Sequence, residues 1–83
     1  MNPIARWSCA NVPAGDYSVV VTFENSYDYT GGSVYSMDGG ATWTPVDSEV
    51  VTGTSAPYTF TITIDNLTVD ADETFDVYFG NVG

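Results

Sequence analysis

The chain has 83 residues, eleven carboxylates, a single basic residue and no histidine, for a net charge of −10. So acidic a surface cannot neutralise phosphates, which excludes a nucleic-acid interface and disfavours an anionic membrane. A chain this short suits one two-layer domain with little room for a deep cleft, and its weighting toward Val, Tyr, Phe and Thr points to an all-β fold.

Met1 is followed by Asn2-Pro3-Ile4-Ala5-Arg6-Trp7, with neither the basic nor the apolar region of an export signal. No run approaches the roughly 20 apolar residues of a membrane helix, so no membrane insertion is expected. Residues 1–15 are irregular in pattern. Pro3 and Pro13 bracket Ile4, Trp7 and Cys9, which are candidate contacts of an N-terminal arm for a partner; the alternative is a short first strand over residues 7–10. Cys9 is the only cysteine, so no intrachain disulfide forms and a buried thiol is expected. Pro13-Ala14-Gly15-Asp16 is a turn signal, and the sandwich domain is expected over residues 16–83.

Tyr17–Glu24 alternates, with Tyr17, Val19, Val21 and Phe23 on one face. Residues 25–32 form a polar loop carrying Tyr27 and Tyr29. Residues 33–37 and 42–46 read as the arms of a hairpin, with Pro45 on an edge because it has no N–H to donate. Val50-Val51 suggests a short strand. In Tyr58–Asp65 the residues Tyr58, Phe60, Ile62 and Ile64 alternate with threonines, and an acidic connection follows from which Leu67 and Val69 dip into the core. Thr74–Gly80 is the last strand, with Phe75, Val77 and Phe79 inward and Asp76 and Tyr78 outward. Turn signals between short alternating runs indicate a small antiparallel β-sandwich of about six or seven strands.

Between the hairpin arms lie Ser36, Asp38, Gly40, Thr42 and Trp43. This spacing resembles the Asp-box, S-x-D-x-G-x-T-W, and matches all of its defining positions. The resemblance implies a structural turn: in sialidase-like propellers and other β-folds that carry it, the box lies away from the active site. A sialidase reading fails on chemistry, since an arginine cluster must hold the substrate carboxylate and Arg6 is alone. The box residues themselves suit a lock. Asp38 can accept backbone N–H groups, glycine permits positive φ, Ser36 and Thr42 can pair across the strands, and Trp43 can pack over the hairpin.

Tyr58–Ile64, Leu67 and the alternation Phe75, Val77, Phe79 are similar to the end of a fibronectin type III or other immunoglobulin-like domain. The resemblance implies an immunoglobulin-like sandwich. The chain departs from it in a longer corner, in Phe75 where that family's corner has tyrosine, and in lacking a last strand after Phe79. The apolar edge left bare there needs a cover, either residues 4–10 or a strand from another subunit.

Three further groups are candidates for binding. Asp70, Asp72 and Glu73 are oxygen ligands for Ca²⁺, although their spacing is not that of an EF-hand; a solvated acidic loop is the default, and no metal is expected. Tyr27, Tyr29 and Trp43 could form a platform for stacking sugar rings, which leaves carbohydrate open as a partner. Catalysis is poorly supported: with no histidine or lysine, Cys9 has no basic partner to activate it, and no cofactor is expected. The preferred expectation is a non-enzymatic decoration (cement) or subunit protein of a large assembly such as a viral capsid or filament, at a virion surface or outside the cell. Its partner would be protein, either self or a neighbouring subunit. The alternative is an immunoglobulin-like accessory or carbohydrate-binding module of a surface protein.

Overall fold

The computed structural model describes residues 2–81; Met1 of the expected arm and residues 82–83 of the expected domain lie outside the described residues. Seven strands follow in order: β1 (Asn2–Val12), β2 (Gly15–Asn25), β3 (Ser33–Ser36), β4 (Thr44–Pro45), β5 (Ser48–Thr52), β6 (Tyr58–Val69) and β7 (Glu73–Asn81). They form two antiparallel sheets, ordered β1-β7-β3-β4 and β2-β6-β5, packed as a small β-sandwich.

The inner strand of each sheet carries the core. Phe60, Ile62 and Ile64 of β6 face Phe75, Val77 and Phe79 of β7, all of them buried. Phe79 meets Phe60 edge-on at 4.8 Å and Phe23 of β2 at 4.7 Å. These geometries suit aromatic quadrupoles better than face-to-face stacking.

β6 runs further than its alternation suggests. Ile64 and Leu67 are both buried although three residues apart, which a regular strand forbids. The register explains it: Val19 opposes Ile64 and Tyr17 opposes Leu67, so β6 carries one extra residue there. This bulge returns Leu67 and Val69 to the inner face. The segment expected as an acidic connection is therefore, as far as Val69, part of a continuous strand.

The N-terminal segment takes the strand alternative, and takes it much further than residues 7–10. β1 pairs with β7 from Asn2↔Asn81 to Val12↔Glu73, and β3 pairs with the other side of β7. The apolar last strand is thus interior to its sheet, covered by the segment expected to cover it if the solution lay within the chain. As a correction to the partner-arm reading, Trp7 and Cys9 pack against the core, and Ile4 alone of that trio is an exposed large apolar side chain. Asp76 and Tyr78 do point out of the sandwich, yet both are buried. The cover over that outer face comes from the Ser36–Trp43 turn and from Arg6.

Candidate functional site

β3 ends at Ser36, and β4 begins only at Thr44, so Thr42 and Trp43 belong to the turn and not to a hairpin arm. Inside the turn the Ser36 hydroxyl donates to Asp38 Oδ1 at 2.8 Å and accepts the Gly40 N–H at 2.9 Å. Asp38 Oδ1 also accepts the Thr42 N–H at 2.9 Å, and Oδ2 accepts the Thr42 hydroxyl at 2.5 Å. Ser36 and Thr42 are therefore joined through the Asp38 carboxylate, in place of the direct cross-strand pair expected. Hydrogen bonds from the Thr42 side chain first, then from its backbone and from Ser36, hold the Asp38 carboxyl at a pKa of about 2.

The turn lies against the outer face of the four-stranded sheet. A Cβ on Gly40, whose φ is +94°, would sit 3.3 Å from the Tyr78 hydroxyl and 4.0 Å from the Trp43 ring. Glycine thus supplies both the positive φ and the close approach. Beside it, Asp76 accepts hydrogen bonds from Arg6 Nε at 3.3 Å, from the second Arg6 nitrogen at 3.2 Å, and from the Ser8 hydroxyl. The Arg6 guanidinium also lies over the Tyr78 ring, 5.7 Å from its centroid. This polar cluster is fully partnered: among the described residues no buried side-chain nitrogen or oxygen lacks a hydrogen bond.

The three rings expected as a sugar platform are not brought together. Tyr27 and Tyr29 belong to the loop entering β3, with centroids 6.5 Å apart and planes tilted by 40°. Tyr29 is stacked on Phe79 at 5.7 Å. Trp43 follows the other end of β3, beside Gly40, and makes no ring contact with either tyrosine. Asp70, Asp72 and Glu73 lie at the β6–β7 turn, and among the described residues no group of three or more acidic or cysteine side chains is arranged to hold a metal ion.

A further feature was not anticipated from the sequence. One side of the sandwich is stitched shut. Glu49 of β5 accepts the Gly31 N–H and the Ser33 hydroxyl from the other layer, and Asp47 accepts the Asp65 N–H at 2.6 Å. On the opposite side the edges are β1 and β2, each of 11 residues, joined by one tight turn. Their inward rows, Ala5, Trp7 and Cys9 on β1 and Val19, Val21 and Phe23 on β2, are partly exposed while packing on the core. The signal was present in the sequence: Val19-Val20-Val21-Thr22-Phe23 has no charge, proline or glycine to guard a strand edge.

No protein-family model matches the chain, and neither a curated protein nor a solved structure is found that matches it.

Proposed function

We propose that this chain is a non-enzymatic structural protein, a decoration or subunit component of a larger assembly such as a viral capsid or filament, whose partner is protein. The observation that carries the reading is the side formed by β1 and β2: two long strand edges, with partly exposed apolar rows between them, on a domain with no pocket among its described residues. Backbone groups along such edges offer hydrogen bonds that another strand can take.

The connectivity supports an immunoglobulin-like reading of the sandwich, as the resemblance of β6 and β7 to the end of such a domain implies. In that fold the strands divide into sheets ABED and CFG. Here β2, β6 and β5 fit B, E and D, β3 and β7 fit C and F, and the N-terminal β1 takes the place beside β7 that the last strand holds in those domains. On this reading none of the described residues occupies the first-strand place beside β2.

The test is fractionation of a tagged full chain expressed in its native host. Constant-stoichiometry sedimentation with one large particle supports assembly membership. Recovery only as the free monomer, under conditions that preserve large complexes, refutes it.

A further inference from the structure

The geometry points to the free edge of β2, between Asp16 and Glu24, as the docking site for an extended segment of a different polypeptide, apolar at its centre and bearing lysine or arginine at both ends. This rests on the reading of the chain as an assembly component and names the surface and the chemistry of the partner.

Four edges end the two sheets, and they differ in how well they are guarded. β4 is two residues long and holds Pro45; β5 is five residues long and carries Glu49. β1 carries Arg6 and two breaks of register, between Pro3 and Ala5 and between Cys9 and Val12. β2 breaks register once, between Tyr17 and Val19, and is then regular from Val19 to Asn25. Along that regular part every second residue turns its N–H and C=O away from β6, toward the vacant side. A hydrogen-bonding row of this kind fits an extended backbone and little else. The central run is uncharged, and Val20 is 58% exposed on the outer face.

Charge then selects among occupants. Asp16, Ser18, Val20, Thr22 and Glu24 share the outer face of β2, so the apolar centre has a carboxylate at each end. Asp16 accepts a hydrogen bond from Thr68 at 2.9 Å and stays exposed. A second copy pairing antiparallel about Val20 would set Glu24 opposite Asp16 twice, and like charges directly opposite are destabilising. Each copy would also bring a net charge of −10. A segment with basic ends meets both carboxylates, and alternate apolar side chains can reach the partly exposed row of Val19, Val21 and Phe23.

The experiment uses the full chain and a labelled synthetic peptide matching Asp16–Glu24 in length, with alternating valine and threonine between terminal lysines. A second peptide has glutamate ends, and a third has lysine ends with alternate backbone nitrogens methylated. Binding is read by fluorescence polarisation. Val20→Lys and Thr22→Lys, both outward-facing, set a like charge against the lysine-ended peptide and guard the edge, with circular dichroism reporting the fold. The lysine-ended peptide is expected to bind about tenfold more tightly than the glutamate-ended one. Methylation and whichever edge variant remains folded should each abolish binding. Equal binding of both peptide ends, or binding that survives methylation or the edge variants, overturns the proposal. So does a concentration-dependent dimer in sedimentation that Val20→Lys dissolves, because the occupant is then a second copy. Absence of peptide binding from a chain that still sediments with its particle rejects this edge and leaves the assembly reading standing.

Discussion

Arg6 of β1 and Asp76 of β7 form an ion pair at 3.2 Å across strands 70 residues apart in the chain. Arg6 is the only basic residue, and Asp76 is the only buried carboxylate among the described residues. The one cation of a highly acidic protein therefore pins the N-terminal strand onto the central strand of its sheet. The pair is asymmetric, with side-chain exposures of 57% for Arg6 and 3% for Asp76. Its value lies less in Coulomb attraction than in giving a buried carboxylate its donors.

Arg6→Ala is accordingly expected to destabilise the fold by about 1–2 kcal/mol, since Asp76 keeps only the Ser8 hydroxyl. Arg6→Lys should recover part of the loss, as a single ammonium cannot reproduce both guanidinium bonds. Urea midpoints at constant slope measure both. A neutral Arg6→Ala would show that the pair does not hold β1.

Asp38 makes an acid-sensitive contribution whose sign follows from its lowered pKa. The folded value of about 2 lies below the ordinary 3.8, so the folded state binds the proton less readily than the unfolded chain. The stabilisation is complete above about pH 4 and is lost as pH falls through about 2. Asp38→Asn, which cannot ionise, should melt below the parent protein at pH 7 and converge with it in acid. A gap in Tm that persists undiminished below pH 2 would contradict a role for the ionised carboxylate.

Gly80 has φ +120°, and a Cβ there would lie 2.5 Å from the Ile4 backbone nitrogen and 2.6 Å from Ile4 Cγ1. Gly80→Ala should cost about 2–4 kcal/mol through backbone strain and the clash. Ile4→Ala in the same chain should restore little, because the nearest obstacle is backbone. Full recovery in the double variant would show that only side-chain crowding matters. Chemical denaturation of both variants decides between these outcomes.

Removing residues 2–12 strips one side of β7 and uncovers Phe23, whose ring lies 4.9 Å from Trp7. The truncated chain is expected to lose cooperative unfolding or to aggregate, because an apolar strand is left with a bare edge. Adding a peptide of residues 2–12 in trans should restore a monomeric folded complex, read by sedimentation and by Trp7 fluorescence. A truncated chain that stays folded and monomeric by itself would mean that β1 is dispensable.

The alternation in β2, β6 and β7 was legible because side-chain period is a local property: Val19, Val21 and Phe23, or Phe75, Val77 and Phe79, fall on one face wherever the strand is placed. The turn at Ser36–Thr42 was legible for the same reason, as its donors and acceptors lie within four residues of one another. The irregular look of residues 1–15 hid a strand. Pro3 and the two register breaks blur its period, and its partner lies at the other end of the chain.

By itself, then, the sequence determined the class of fold, the acidic surface and the turn, all matters of composition and short-range spacing. Tertiary structure alone decided which strands pair, and three consequences follow from that. It placed β7 between β1 and β3, buried the outward-facing Asp76 and Tyr78 beneath Arg6 and the Ser36–Trp43 turn, and left β2 at an edge. Strand pairing is a long-range choice among backbones whose hydrogen-bonding groups are alike, so side-chain pattern marks a strand without naming its neighbour. The burial of Asp76 depends likewise on a guanidinium 70 residues away, and only the folded chain brings the two together.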